Sequence, residues 1–368
     1  MNRRTFLQTG LGTAWAFPLM AAMPRPTQEK LQEASNALSN AIADGPLAGA
    51  VLYVRSDGHE FARAFGSATT PDAMFLLGSI SKPITVAALL TLHDQGRFSL
   101  DDPAQKYLPE FHGEGRDRIT IRQLLTHVSG LPDQLPENDT LRSSHAPLSE
   151  FVSKAIQTPL LFAPGSRYEY SSMAILLAAE IAQRLSGVGL LAFVQKAVFD
   201  PLEMKHSALG LGRFPIEALM PCQTEHAAPE AGAGDPEALN WDWNSLYWRQ
   251  LGAPWGGVHA SAPDVGRFLD AFLHPEGKLL SPATARLMIQ NHNPEGFPPR
   301  GLGFALGASL GGPGGSERTF GHTGSTGTLA WADPESETIC VVLTTLPGQA
   351  IDPHPRAIAS ERVAEAVR

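Results

Sequence analysis

Three short stretches of this 368-residue chain carry side chains whose types and spacing suit nucleophilic chemistry. The first is Gly78-Ser79-Ile80-Ser81-Lys82. Here an apolar stretch from Met74 to Leu77 meets a run with helical spacing, Ile80, Ile84, Ala87, Ala88, Leu90 and Leu92, that ends at Gly96. Ser79 and Lys82 then share one helix face, one turn apart. A serine hydroxyl is a poor nucleophile at neutral pH. An amine one turn away takes its proton if desolvation or a neighbouring cation lowers the amine's pKa. An N-capping serine followed by a solvated lysine would present the same spacing, so the pair alone decides nothing.

The second stretch, Pro164-Gly165-Ser166-Arg167-Tyr168-Glu169-Tyr170-Ser171-Ser172, is a turn running into a helix predicted from Ser172. A tyrosine at a helix mouth relays protons when cations lower its pKa, and Lys82 is the cation this reading supplies. The plainer alternative is an aromatic packed on a helix start, with Ser172 as the N-cap. The third stretch is Phe320-Gly321-His322-Thr323-Gly324-Ser325-Thr326-Gly327, between two strand-like runs. A strand of small residues lets a substrate backbone lie alongside it, with a free N–H aimed at a developing oxyanion. His322, expected to be partly cationic at neutral pH, would attract a carboxylate or tune the tyrosine. Its alternative is a glycine-rich hairpin edge with an exposed histidine. Trp241, Trp243, Tyr247, Trp248 and Trp255 around Gly256-Gly257 read as core packing or as a lining of the acyl or leaving-group side of a cleft. His127 reads as a helix-end structural residue rather than a base.

The elements that must position these groups follow from the periodicity. A helix over about 28–44, with Leu31, Ala34, Leu38 and Ile42 on its apolar face, precedes a hairpin of Leu47 to Val54 and Glu60 to Gly66 turning at Ser56-Asp57-Gly58. From about residue 101 to 299 the apolar periods are almost all helical. Strand signals return in 301–306, 318–323, 328–333 and 338–343, ahead of a closing helix over about 355–367. The expected fold is therefore mixed α/β, of α+β type. An antiparallel sheet is assembled from both termini, about 24–100 and 300–368, flanked by helices, with a large helical subdomain inserted between them and a cleft at the junction. Ala227 to Ala238, rich in Ala, Gly, Pro and Glu, reads as a mobile surface loop.

Composition bounds the partners. A chain with 43% hydrophobic and 18% charged residues buries a sizeable core, and a formal charge of -9 without a basic stripe argues against nucleic acid. Arg3-Arg4 ahead of an apolar, acid-free run from Leu11 to Met23 is similar to a twin-arginine export signal. Residues 1–23 are accordingly expected to direct residues 24–368 to the periplasm or outside the cell. That run is too short for a permanent membrane helix. Cys340 reads as a buried strand thiol and Cys222 as a loop residue, which suggests neither a disulfide framework nor a metal site, and no cofactor is called for.

Taken together, Ser79-x-x-Lys82, Tyr170-x-Ser172 and His322-Thr323-Gly324, in that order, resemble the serine β-lactamase and penicillin-binding-protein superfamily. The likeness is to its class C-like branch of β-lactamases, DD-carboxypeptidases and esterases. Supporting segments are Gly96 to Leu108, Leu124 to Pro132, and Gly256-Gly257 ahead of a helix carrying Asp264. The resemblance implies Ser79 as the acyl-forming nucleophile, with Lys82 and Tyr170 as its proton-transfer partners. It further implies His322, Thr323 and Gly324 as the strand facing the substrate, and the N–H groups of Ser79 and Ser325 as the oxyanion site. Two positions depart from the pattern: His322 stands where β-lactamases usually have Lys, and Ser172 where Asn is usual. A hydroxyl offers fewer hydrogen bonds than an amide to the lysine and to a substrate carbonyl. The expected substrates are therefore small molecules or short peptides, with esters and D-amino-acid peptides or amides ahead of β-lactams. The rivals are a non-catalytic sensor of peptidoglycan or β-lactams and a structural or adhesive exported protein.

Overall fold

A computed structural model describes residues 28–367, so the expected export signal lies outside the described residues. The first helix, α1 (Gln28–Ala43), leads into the hairpin β1 (Gly49–Ser56) and β2 (His59–Gly66). Asp57 and Gly58 both take positive φ, 49° and 75°, as a two-residue loop matched to the twist of its strands requires. After β3 (Phe75–Leu76) comes α2 (Ser81–Asp94), then a helical stretch of α3 (Ile121–Leu125), α4 (Asn138–Ser143), α5 (Leu148–Gln157), α6 (Ser172–Ser186) and α7 (Leu190–Val194). Next follow β4 (Ser207–Leu209), α8 (Leu246–Leu251), β5 (Val258–Ala260), α9 (Ala262–Leu273) and α10 (Pro282–Met288). The chain closes with β6 (Ala305–Leu306), β7 (Phe320–Gly324), β8 (Thr328–Asp333), β9 (Thr338–Thr344) and α11 (Pro355–Ala366).

The main sheet has the order β2-β1-β9-β8-β7-β6, all antiparallel, so the first hairpin joins the last three strands through β1 against β9, Ala50 opposite Thr344 and Ser56 opposite Thr338. Alternate residues of β1 serve two cores. Ala50, Leu52 and Val54 pack with Trp331 and Val342 beneath α1 and α11, while Val51 and Tyr53 face the other side with Val341, Phe268 and Phe272. Burial on both faces explains why these strands read as continuous apolar runs rather than alternating ones. Trp331 fixes α11 to the sheet by donating from Nε1 to Ser360 Oγ at 2.8 Å.

Two features differ from the sequence reading. The stretch expected to be almost all helical contains β4 and β5, which join β3 in a second sheet of order β3-β5-β4; strands of two or three residues are too short to show a period. The Ala227 to Ala238 segment is only partly a free surface loop: residues 233–237 are exposed, while both of its ends are anchored. Ala227, Ala228, Ala231 and Ala238 are buried, two 3-10 turns shape it, and Asn138 Nδ2 donates to the Glu230 carbonyl at 3.3 Å. Its small methyl groups fit where a composition-based reading sees only low complexity. Cys222 and Cys340 are both buried free thiols.

Candidate active site

The turn carrying Ser79 is clamped between the two sheets. Leu77 donates its N–H to the Val258 carbonyl at 2.8 Å, and Ser81 Oγ accepts the Val258 N–H at 3.0 Å. From the main sheet, Thr326 Oγ1 donates to the Leu76 carbonyl at 2.7 Å and Thr328 Oγ1 to the Leu77 carbonyl at 2.6 Å. Gly78 has φ 56°, and a Cβ there would sit 2.9 Å from Thr326 Oγ1 and 3.2 Å from the Ser325 nitrogen. Only glycine meets both demands. The result is a half-buried Ser79 in a 3-10 turn (Gly78–Ile80) pressed against the β7–β8 hairpin, its N–H not used by the turn itself. Ser325 sits in that hairpin's turn and donates no backbone hydrogen bond to the described chain.

Lys82 is 1% exposed, and its Nζ lies 3.0 Å from Ser79 Oγ and 3.0 Å from the Trp255 carbonyl oxygen. Burial pulls its pKa down to about 7; the Asp133 carboxylate opposes that and the Arg300 guanidinium adds to it. About half of the amine is therefore neutral at neutral pH and free to accept a proton. Beneath it lies the Tyr170 ring, 4.7 Å from Nζ to the centroid.

The Tyr170 hydroxyl is buried, without a hydrogen-bond partner among the described residues, yet close enough to feel the Ser79 hydroxyl. Its pKa is not lowered, as the sequence reading expected. Burial drives it above the ordinary tyrosine value, against the smaller opposing influences of Ser79 and Arg300. His127 straps this segment down. In a left-handed conformation after α3 (φ 62°), its carbonyl accepts the Glu169 N–H at 3.0 Å, Nδ1 accepts the Ser171 N–H at 3.2 Å, and the ring lies 4.6 Å from the Tyr170 ring. The helix cap is Ser171 rather than Ser172: Ser171 Oγ accepts the Ala174 N–H at 3.0 Å and donates to the Pro132 carbonyl at 2.8 Å.

Ser172 is instead the first helical residue, and its hydroxyl donates to Asp133 Oδ1 at 2.6 Å while its N–H donates to the same oxygen at 2.8 Å. With its one hydrogen committed, the hydroxyl offers the cavity only lone pairs. On β7 the pleat exposes Thr323 and buries His322 and Gly324, with Ser325 exposed just beyond. The two-residue β6 covers β7 only at Phe320 and Gly321, so His322 to Gly324 form a free edge on that side. His322 is not the expected partial cation. It is buried, its Nδ1 is 2.7 Å from the Thr323 carbonyl oxygen, and burial, aided by the charges of Arg300 and Lys82, brings its pKa down to about 3.

The site's cations are arginines that the sequence did not single out. Arg300, with a buried Nη1 lacking a hydrogen-bond partner, lies over the rings of Tyr168 and Tyr170 at 5.6 and 5.5 Å. Arg142 stacks on Trp248 at 3.9 Å, its Nη1 likewise buried and unpartnered. Arg142 lines a cavity of about 150 Å³ beside Ser79, together with Asp133, Tyr170, Ser172, Glu230, Trp243, Trp248, Trp255 and Ser325. The tryptophans are thus core residues on one side and cavity wall on the other. Asp133 directly follows the Leu124 to Pro132 segment, a signal that stopped one residue short; Arg300 and Arg142 lie in stretches with no chemical motif. Among the described residues no group of three or more His, Cys, Asp or Glu side chains is placed to hold a metal ion. No single described helix is long and apolar enough to cross a membrane.

Comparison with known proteins gives a consistent picture. Residues 34–363 match the family model described as Beta-lactamase. Esterase EstB of Burkholderia gladioli is 34% identical over 183 residues, 46% of this chain and 46% of that protein. In the curated relatives matched first, the shared stretch is under half of their length. A penicillin-binding protein homolog from Caulobacter crescentus superposes with a TM-score of 0.74 at 22% identity, over 95% of this chain and 100% of that one. The D-amino acid amidase of Ochrobactrum anthropi SV3, in complex with D-phenylalanine, gives 0.73 at 23% identity, over 92% and 99%. Both likenesses are of fold.

Proposed function

The chain belongs to the Beta-lactamase family, and on that premise we propose that it is a serine hydrolase acting through an acyl-Ser79 intermediate on esters or D-amino-acid peptides and amides. The observation that carries this reading is Lys82 Nζ 3.0 Å from Ser79 Oγ in a pocket dry enough to bring the amine's pKa down to about 7, so that a neutral share is present near pH 7. Neutral Lys82 takes the Ser79 proton as Oγ bonds to the substrate carbonyl carbon. The oxyanion rests on the N–H groups of Ser79 and Ser325. Collapse of the tetrahedral species breaks the bond to the leaving group, which takes a proton from the Tyr170 hydroxyl, and Lys82 returns one to Tyr170. Water repeats the sequence to release the acid. Held protonated by burial, Tyr170 suits a relay and a donor better than a resting base.

Small cavity size and a hydroxyl at position 172 support small acyl groups over β-lactams. The paired arginines and apolar run at the N-terminus support export by the twin-arginine route, which N-terminal sequencing of protein recovered from the periplasm tests. The activity is tested by intact-mass spectrometry after mixing with a p-nitrophenyl ester and, separately, with a β-lactam. An adduct on Ser79 with multiple turnovers of the ester is expected. Turnover by purified Ser79→Ala refutes the assignment, and a single acylation without turnover identifies a sensor.

A further inference from the structure

Asp133 takes no part in the steps above, yet its carboxylate is held against the start of the helix that follows the tyrosine motif. Its Oδ1 accepts two hydrogen bonds from a single residue, the Ser172 hydroxyl at 2.6 Å and the Ser172 N–H at 2.8 Å. Because Ser172 opens the 15-residue α6, the carboxylate also faces the positive end of that helix. The neighbouring bond from Ser171 Oγ to the Pro132 carbonyl stitches the same two segments together, so the carboxylate has little freedom. Asp133 and Ser172 both line the cavity onto which Ser79 opens.

We propose that Ser172 and Asp133 form a positioning device, in which the serine orients the carboxylate and the carboxylate's negative charge holds the Lys82 amine in register with Ser79. The inference rests on Lys82 being the base for Ser79. An amide at position 172 would offer donors and an acceptor directly to the lysine and substrate, whereas a hydroxyl has one hydrogen to give. Here that hydrogen is spent on Asp133, which passes the influence to Lys82 as a field.

The groups facing Lys82 make the sign of that field readable. Tyr170 lies beneath it from the start of α6, Arg300 acts from the segment before β6, and the Trp255 carbonyl oxygen accepts from ahead of β5. His322 on β7 and His127 after α3 are both kept neutral by burial. Arg142 and Glu230 stand farther along the cavity wall. Among the described residues, Asp133 is the acidic group whose charge opposes the desolvation of Lys82, and Arg300 is the cation that reinforces it.

Two variants test the device through the acid limb of the kcat/KM profile for a chromogenic ester. Asp133→Asn keeps an oxygen that accepts both Ser172 bonds but removes the charge. Its limb is expected to move down by about half a pH unit or more, so that near pH 5.5 the variant retains about threefold more of its own plateau rate than the unaltered enzyme. Ser172→Ala keeps the charge but removes the hydroxyl that orients it, so its limb is expected to move in the same direction by a smaller amount. Fluorophosphonate labelling of Ser79 is followed in both variants and in the unaltered enzyme. Labelled Ser79 with limbs that stay put, rates falling by one factor at every pH, overturns the proposal and leaves a helix cap. Failure of the unaltered enzyme to label at Ser79 overturns the hydrolase reading itself. If Asp133→Asn does not fold, the direction of the Ser172→Ala shift decides alone.

Discussion

Replacing Arg300 by Gln tests whether a remote cation helps to keep Lys82 neutral. Arg300 Cζ lies 5.5 Å from the Tyr170 ring centroid and Lys82 Nζ lies 4.7 Å from the same point. The two charges are therefore no more than about 10 Å apart, which corresponds to about 0.4 kcal/mol of repulsion at the dielectric of water and about 1.7 kcal/mol at an effective value near 20. Removing the guanidinium lets Lys82 hold its proton more tightly, so its pKa rises from about 7 by about 0.3 to 1.2 pH units. A base is needed neutral, so the acid limb of kcat/KM moves upward by that amount, and activity below pH 7 falls while the plateau at high pH persists. Since Arg300 Nη1 has no hydrogen-bond partner, the substitution removes a charge without orphaning an acceptor at that nitrogen. The assay is hydrolysis of a chromogenic ester followed at the isosbestic wavelength of its leaving group between pH 5 and 9. Arg300 is partly exposed, so added salt, with a Debye length of about 8 Å at physiological strength, is also expected to move the unaltered enzyme's limb toward that of the variant. A limb that stays in place, or moves down, refutes the reasoning.

Three further outcomes follow from the same geometry. Lys82→Met is expected to be inactive but more resistant to heat. A lysine whose folded pKa is depressed from 10.5 to about 7 costs stability below pH 7, on the order of a few kcal/mol. That cost fades as pH rises from 7 to 10.5, so thermal melts at pH 6 and pH 10 should show the advantage shrinking. Gly78→Ala forces a Cβ into the left-handed region and toward the Ser325 nitrogen. A loss of about 1–2 kcal/mol in stability and of about a hundredfold in kcat is expected, with KM little changed, measured by denaturant titration and steady-state kinetics. Thr326→Val and Thr328→Val each remove a hydroxyl that pins the nucleophile turn. Each should cost about 1–3 kcal/mol, and a kcat that falls further in the double variant than in either single one would show that both hold Ser79 in register.

Much of the architecture was legible because it is local. The nucleophile helix, the hairpin at Asp57-Gly58 and the strands at the C-terminus announce themselves through periods and turn residues that need no knowledge of the rest of the chain. Ser79, Lys82, Tyr170 and the His322 to Ser325 strand were legible in the same way, and the fold brings them together at one cavity edge. The strands β4 and β5 were not, since each is only three residues long and is defined by partners far away in the chain. Charge states were the least legible part. A sequence shows which ionisable groups exist but not how dry their surroundings are. Two expectations, a lysine with a lowered pKa and a tyrosine lowered by that lysine's charge, compete with each other. Any pocket apolar enough to bring the Lys82 pKa down weakens the cation that would stabilise a tyrosinate and withdraws water from the phenol as well. The same dryness keeps His322 neutral and leaves Arg300, reached from a partly exposed loop, as the charge facing the tyrosines. Desolvation thus bears on these groups together, which suits Lys82 to the base and Tyr170 to the donor of the proposed reaction, and the charges that act on Lys82 come from the loops carrying Asp133 and Arg300 rather than from the helix that carries Ser79.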